Sequence, residues 1–348
     1  QPQDSLVFLE AKPKTEMKVN IVSESEFSVK GHGVHTAYLE HVNSLKKLKD
    51  ITVQVNKLGV ADITHIHTVG AYSLLHLLFG GGKKVVSAHV VPASFVGSLV
   101  LAKWWLPLAK LYLRWFYNRA DLVLAVSDET KRELVRLGVK KPIEIMYNSI
   151  DTAVYKKTAQ GRKAARAKLG LHASDWLVVG AGQVQPRKRI DSFVVAAKRL
   201  PDMKFTWVGG MPFKRVAADY DKMNRLMKAA PANANFTGVI ELEAVKDYYH
   251  AADAFLLPSS QETFGLVVIE AAASGLPVVV RDIQDYDETF KGYVSMFKND
   301  KELVSRLQEL RNDSNHFSAQ VKLSAQLAER YDSKAAAERL VDLYTSLI

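Results

Sequence analysis

The side chains in this sequence best placed to do chemistry fall in three short stretches. In "PSSQETFGLVVIEAAASGLPVVV", Glu262 and Glu270 stand eight positions apart, the first in a polar loop and the second inside an apolar run. Pro258 closes a strand, Ser259 to Glu262 read as a loop, and Thr263 is the expected cap of a helix starting at Phe264 or Gly265. The N–H groups of Phe264, Gly265 and Leu266 would then form an anion site, with Gly265 allowing close approach to the backbone. A carboxylate buried like Glu270 needs partners, which vicinal sugar hydroxyls would supply. "GQVQPRKRI" sets Arg187, Lys188 and Arg189 between a strand and a helix, where cations and N–H groups converge on anions. A solvated basic loop is the plainer alternative. His89, in "VVSAHVVP", ends a strand, a position where a lone histidine is more often structural.

Other patterns carry less. Gly31-His32-Gly33 and Gly180-Ala181-Gly182 follow the first strand of each half, but neither has the third glycine of G-x-G-x-x-G. A tight turn explains them as well as a phosphate loop does, and an oxidoreductase is not the first reading. His65 and His67 imitate a metal pair, yet no third ligand stands at fitting spacing, so metal binding is rejected. With His35 they rank below His89.

The elements around these residues alternate. "MKVNIVSES", "ITHIHTV", "KVVSAHVV", "ADLVLAVS" and "IEIMYNSID" read as strands, with a helix from near His35 and another over "DETKRELVRLG". The pattern restarts with "DWLVVGAGQV", "KFTWVGG", "ANFTGVI", "AFLLPSS" and "LPVVVRD", and helices are expected over 189–200, 215–230, 241–252, 264–274, 300–311 and 315–329. The last segment is helical with Ser333 as its cap. Alternation of this kind makes parallel, doubly wound sheets, which bind ligands at the carboxyl ends of their strands. The expected fold class is α/β with two Rossmann-like domains facing across a cleft. The expected boundaries are 1–16 as an added or mobile extension, 17–155, 156–330, and a helix over 331–348 that can cross back to the first domain.

A chain of 348 residues suits two cores of roughly 150 residues each. At 48% apolar and 24% charged residues it has a globular composition. The absence of cysteine excludes disulfides, thiolate metal sites and cysteine nucleophiles. No apolar run approaches the roughly 18 residues of a membrane span, and the N-terminus lacks a secretory pattern, so a cytoplasmic location is expected. The net charge of +10 is unevenly spread: no acid occurs between Asp62 and Asp121, where Lys83, Lys84, Lys103, Lys110, Arg114 and Arg119 share the window with Trp104, Trp105 and Trp115. A second acid-free run spans Lys156 to Lys168. Nucleic-acid binding has only net charge behind it, because the aromatics fall in an apolar stretch.

Taken together, "PSSQETFGLVVIEAAASGLPVVV", the "RK" loop, the "YNSID" junction, "FTGVI" and the mid-domain histidine resemble the E-x7-E pattern and context of retaining GT-B glycosyltransferases of family 4, over residues 17–348. The resemblance implies that Glu270 binds the donor ribose and that Glu262 sits near the reacting sugar's hydroxyls. It also implies that Phe264, Gly265 and Leu266 offer N–H groups to sugar and pyrophosphate, that Lys188 is the phosphate lysine, and that Gly31 and Gly33 let the first domain approach the phosphate. Val239 and Ile240 would flank the base, and His89 would contact the donor sugar. The family commonly has arginine where this chain has Gln183, and Arg187 is the candidate replacement. No metal or other cofactor is implied, since cations and a helix N-terminus can stabilise the leaving diphosphate. The implied mechanism is front-face transfer with retention. A glycosidase would use its two carboxylates on either side of the scissile bond, which conflicts with a ribose role for Glu270.

"SFVGSLVLAKWWLPLAKLYLRWFYNRA" lies in the expected acceptor domain. Pro107 is the expected start of a helix running to about Asn118. Phe95, Lys103, Trp104, Trp105 and Lys110 suit an anionic membrane interface, while the C-terminal half of the helix is expected to be core. "HVVPASFVGSL" resembles bacterial enzymes that glucosylate diacylglycerol. The expected function is therefore hexose transfer, from UDP-glucose, to a diacylglycerol-type lipid at the inner face of the cell membrane. The alternatives are a small soluble acceptor, a GT-B sugar-nucleotide epimerase and an idle lipid-binding module.

Overall fold

The computed structural model describes residues 16–27, 33–92, 102–211 and 219–348, with the side chains of 102–105 excepted. Two six-stranded sheets, parallel throughout, carry the fold. The first has the order β2-β1-β3-β4-β5-β6, built from β1 (Met17–Val22), β2 (Ile51–Val55), β3 (Ile63–Ile66), β4 (Lys83–Ala88), β5 (Leu122–Ala125) and β6 (Ile143–Ile145). The second has the order β12-β11-β10-β7-β8-β9, built from β7 (Leu177–Ala181), β8 (Lys204–Val208), β9 (Ala234–Phe236), β10 (Ala254–Leu257), β11 (Val278–Arg281) and β12 (Ser295–Phe297). β2 and β12 were not among the expected strands. Both are edge strands: β2 alternates Thr52 and Gln54 with apolar residues, and β12 is only three residues long, so neither shows the continuous apolar run of a buried parallel strand.

Helices cover both faces. In the first half they are α1 (Gly33–Lys46), α2 (Ala71–Phe79), α3 (Ala102–Tyr117) and α4 (Asp128–Leu137). At the crossing come α5 (Thr152–Tyr155) and α6 (Ala159–Lys168). The second half holds α7 (Ile190–Arg199), α8 (Tyr220–Lys228), α9 (Leu242–Ala251), α10 (Leu266–Ala273), α11 (Asp300–Asn312) and α12 (Ser314–Arg330), and α13 (Ser333–Thr345) ends the chain. The helix expected after "ITHIHTV" is α2, whereas α5 and α6 were not anticipated. The Lys156–Lys168 run becomes the helix α6, which anchors on the second sheet: Arg162 donates to Asp253 (2.6 Å), and Arg166 donates to the Ala251 carbonyl (2.9 Å).

Three terminal assignments change. α13 is capped by Asp332, which accepts from Lys334 N, rather than by Ser333. α10 starts at Leu266 with Gly265, not Thr263, as its cap. α3 begins at Ala102, so Pro107 lies inside the helix instead of opening it. A proline there removes one N–H bond, and the apolar packing of Leu113, Phe116 and Tyr117 on the sheet holds the rest of the helix in place.

The chain crosses between the sheets twice, side by side. Ile150 N donates to the Tyr331 carbonyl at 3.1 Å, Ser333 N donates to the Ile150 carbonyl at 2.8 Å, and the Thr152 hydroxyl donates to Asp332 at 2.6 Å. Beyond this point α13 returns to the first sheet, burying Ala337, Leu340 and Tyr344 against the core of Val19, Ile21, Tyr38 and Val85. The halves also meet where Tyr147, after β6, stacks on Phe264 of the glutamate loop with ring centroids 6.1 Å apart.

Candidate active site

The second sheet gathers the charged cluster. β7 ends at Ala181, and Gly182 follows with φ +130°, turning the chain so that its vacant Cβ position faces the Lys188 side chain at 3.4 Å. The turn at Pro186–Lys188 then aims two cations at one carboxylate. Lys188 Nζ lies 2.5 Å from Glu262 Oε1, and Arg187 Nη1 lies 3.3 Å from Oε2. Both Lys188 and Glu262 are buried. Burial alone would raise the Glu262 carboxyl, but the two cations outweigh it and hold the group below the usual carboxylate range. Arg187 also accepts orientation from its neighbours: it donates to Gln185 Oε1 (3.0 Å) and to the Gln261 carbonyl (3.2 Å), while Gln185 donates to Gln183 Oε1 (2.8 Å). Gln183, at the position where arginine was expected, thus sits in the same hydrogen-bonded row that fixes Arg187. Arg189 turns away and pairs with exposed Asp191.

Two cations converge on one carboxylate, and a helix N-terminus is beside them. Gly265 has φ +95°, a conformation that glycine adopts freely. Among the described residues no acceptor meets the N–H groups of Phe264, Gly265 or Leu266, as a helix start leaves them. The Phe264 side chain is buried against Tyr147, Phe290 and Tyr331, which fixes the backbone of this turn. Glu262 N donates to Asp285 (2.9 Å), whose carboxyl burial pushes up to about 6. Val239 is exposed, and Ile240 is half-buried beside the tight Gly209–Gly238 bridge.

Glu270 lies one turn into α10 and is buried. Its carboxylate already has partners: Tyr249 donates to Oε2 at 2.8 Å, and Tyr155 bonds to it as well. Burial raises its pKa to about 7, with Glu40 across the crossing adding to the rise against the two tyrosine bonds. The sequence reading missed Tyr155, Tyr249 and Asp285. Tyr155 and Tyr249 lie on other elements, and only the tertiary fold brings them to the glutamates.

The first sheet holds a different cluster. The β3–β4 register pairs His65 with Val85, so His65, His67, Ser87 and His89 share one sheet face by the two-residue period. His65 bonds Tyr344 OH (2.6 Å) and Ser87 Oγ (2.8 Å). His67 Nδ1 meets His89 Nε2 (3.2 Å), and His67 Nε2 meets His41 Nδ1 (3.4 Å), the latter supplied by α1. His35 is separate and bonds Ser25. Burial, and then the neighbouring imidazoles, hold His65 and His67 well below the ordinary histidine value, and burial lowers His41 to about 4.

The premise for rejecting a metal was the lack of a third ligand, and the fold corrects it: His41, His65 and His67 have ligand atoms within 4.8 Å of one another. Both nitrogens of His65 and of His67 are already hydrogen-bonded, and the group contains no carboxylate. A divalent cation would break these bonds and place an uncompensated double charge in an apolar core. The donor set of this histidine cluster does not fit a divalent cation.

The expected acceptor surface divides by face. Leu113, Phe116 and Tyr117 of α3 are buried, whereas Leu108, Leu111 and Trp115, at spacings of three and four, are exposed beside exposed Lys110 and Arg114. The expectation that the C-terminal half of the helix is core holds only for its inner face. α2 adds exposed Leu75, Leu78 and Phe79, and a groove of about 510 Å³ between the two helices is lined by Leu77, Leu78, Trp115, Asn118 and Arg119. Gly31 and Phe95 lie outside the described residues, as do the side chains of Lys103, Trp104 and Trp105; Gly33 opens α1. Among the described residues no helix is long and apolar enough to cross a membrane.

Two parallel α/β sheets, a cation-rich loop after the first strand of the second sheet and a paired-glutamate helix start define the class as a nucleotide-sugar-dependent GT-B glycosyltransferase. The comparisons are specific. Residues 161–332 match the family described as glycosyl transferases group 1, and residues 30–154 match glycosyltransferase family 4. The chain is 33% identical over 295 residues to the alpha-galactosylglucosyldiacylglycerol synthase of Streptococcus pneumoniae, covering 83% of this chain and 78% of that protein. It is 26% identical to the processive diacylglycerol alpha-glucosyltransferase of Acholeplasma laidlawii, over 78% of this chain and 80% of that one. In fold it matches the Anabaena HepE protein, solved in complex with UDP-glucose, with a TM-score of 0.77 at 17% identity, covering 95% of this chain and all of that one. The chain belongs to the family 4 glycosyltransferases and is a hexosyltransferase.

Proposed function

We propose that this enzyme transfers a hexose, with retention, from a UDP-sugar to a diacylglycerol-type lipid at an anionic membrane surface, with no cofactor beyond the sugar nucleotide. The observation that carries the donor half is the convergence of Lys188 and Arg187 on Glu262 beside the open N–H groups of Phe264, Gly265 and Leu266. A diphosphate would draw both cations from the carboxylate, which is then free to accept from sugar hydroxyls. Glu270 would bind the ribose by exchanging tyrosine hydroxyls for sugar hydroxyls, and His89 would face the sugar from the first domain. Val239 and Ile240 would border the base.

The acceptor half rests on the two relatives whose names specify diacylglycerol lipids, and on the apolar, basic face of α2 and α3. Exposed leucines and a tryptophan flanked by Lys110, Arg114 and Arg119 suit the interface of an anionic membrane. Phe95, Lys103, Trp104 and Trp105 extend the same sequence window. This would hold the enzyme at the cytoplasmic face of the cell membrane. The pneumococcal relative's name describes a lipid carrying two sugars, which favours a second reading in which the acceptor is already glycosylated.

The test is radiolabel transfer from UDP-glucose and UDP-galactose in mixed micelles containing diacylglycerol or monoglucosyldiacylglycerol, with and without anionic lipid. An organic-phase product that rises with anionic lipid is expected. Label appearing only on soluble sugars would overturn the lipid acceptor while leaving the donor site standing.

A further inference from the structure

A buried hydroxyl beside the charged cluster is unused. Tyr286, in the turn Gln284–Tyr286 after β11, is fully buried, and its hydroxyl has no hydrogen-bond partner. A buried hydroxyl without an acceptor lowers stability, so its retention calls for a reason. The ring is held on two sides. Phe290 packs on it with centroids 4.9 Å apart, and the hydroxyl lies 3.4 Å from the position a Cβ would take on Gly265. The adjacent Asp285 accepts from Glu262 N at 2.9 Å. The turn from Glu262 to Gly265 is therefore tied at one end to Asp285 and rests at the other on Tyr286. Burial first, then the charges of Glu262 and Asp285, push the phenol pKa well above its ordinary value, so the group stays protonated and can donate.

While Lys188 and Arg187 hold Glu262, the carboxylate needs no further donor. The need arises when those cations turn to a diphosphate, as in the proposed donor reaction, on which this inference rests. A buried carboxylate stripped of its cations is destabilising unless other donors reach it. We propose that Tyr286 is a positioning residue whose hydroxyl donates to the Glu262 carboxylate once a nucleoside diphosphate has drawn Lys188 and Arg187 away. The carboxylate then stays charged and oriented, with an oxygen open to the sugar hydroxyls. This hydrogen bond forms only with the diphosphate in place, so it strengthens donor binding and contributes nothing to folding.

The experiment is calorimetric titration of the full chain with UDP, and in parallel with ADP and inorganic pyrophosphate, joined to urea unfolding without nucleotide. Tyr286→Phe removes only the hydroxyl. It should weaken UDP binding roughly tenfold, the lower end for a hydrogen bond to a charged group, while stability without nucleotide is unchanged or slightly higher. Glu262→Ala removes the acceptor, and in that background Tyr286→Phe should change UDP affinity by less than about twofold. If Glu262→Ala does not fold, Glu262→Gln takes its place; its neutral oxygen makes the weaker bond, and the loss should shrink to about threefold. Wild-type UDP affinity in Tyr286→Phe overturns the proposal. So does earlier unfolding of Tyr286→Phe without nucleotide, since the hydroxyl would then already serve the fold. An undiminished tenfold loss in the Glu262 variant also overturns it, because the hydroxyl would then act on the ligand directly. A wild type that binds ADP or pyrophosphate but not UDP corrects the proposed donor, and the same comparison is decided with that ligand. One that binds none of the three overturns both readings.

Discussion

The two halves bury polar clusters of similar size in opposite ways. In the second half, Glu262 keeps its charge out of water because Lys188 and Arg187 stand against it. In the first half, His41, His65 and His67 are held neutral by burial and linked as uncharged donors and acceptors. The charged cluster is suited to exchange one anion for another, as leaving-group stabilisation requires. The neutral cluster is suited to hold orientation, since it presents no charge for a ligand to displace. Glu270 stands between these cases: a carboxyl raised to about 7, held by tyrosine hydroxyls at the crossing.

The sharpest way to break the comparison is to remove one charge from the second half. Lys188→Ala leaves Glu262 buried with only the longer Arg187 contact, and a buried pair broken from one side costs about 3 to 5 kcal/mol. Transfer should fall at least roughly a hundredfold, and thermal unfolding should come earlier. A variant with normal stability and activity would show that the pair carries neither load.

Titration separates the clusters next. Glu270 has a folded pKa raised to about 7, so the folded state binds the extra proton, and stability declines as pH rises from near 4.5 to about 7. The full effect is about 3 kcal/mol. Glu270→Gln should flatten this decline in denaturant titrations at pH 5 and pH 8, while donor affinity is lost. The histidines run the other way. Their folded values are depressed, to about 4 for His41, so their contribution is complete above pH 6.5 and fades as pH falls toward 4. Each such group adds a slope of about 1.4 kcal/mol per pH unit in that window. His41→Asn should shallow the acid limb of stability measured by urea titration from pH 7 to pH 4.5. An unchanged slope would mean that the imidazole is not buried neutral.

The mildest change tests the outer face of the first half. Leu108→Asn with Leu111→Asn removes two exposed apolar side chains without touching the core, and binding to anionic vesicles should fall severalfold to tenfold. Release of UDP in detergent should be preserved. Equal loss in both assays would place these residues in folding rather than in membrane contact.

Much of the donor site was legible because its residues lie in short, local patterns. The loop before α10 carries Glu262, Phe264, Gly265 and Leu266 in one stretch, and Arg187 and Lys188 are adjacent. Family resemblance then joined the two. The departure at Gln183 was legible as a departure, but its resolution was not: only the structure shows Gln183 and Gln185 forming the row that steers Arg187 to Glu262. The edge strands β2 and β12 escaped because β2 interrupts its apolar residues with Thr52 and Gln54 and β12 is only three residues long, and Pro107 misled because a proline that suits a first turn can also be carried within a well-packed helix.

The sequence by itself determined the α/β class, the places of most strands along the chain and the glutamate, lysine and glycine positions of the donor site. These follow from local periodicity and from backbone requirements that act over a few residues. Tertiary structure alone decided that His41 completes a histidine chain with His67 and His89, that Tyr249 and Tyr155 hold Glu270, and that α3 buries one face while exposing the other. Those outcomes depend on which helix packs over which strand, and no pattern within a single segment encodes a contact between elements twenty to three hundred positions apart.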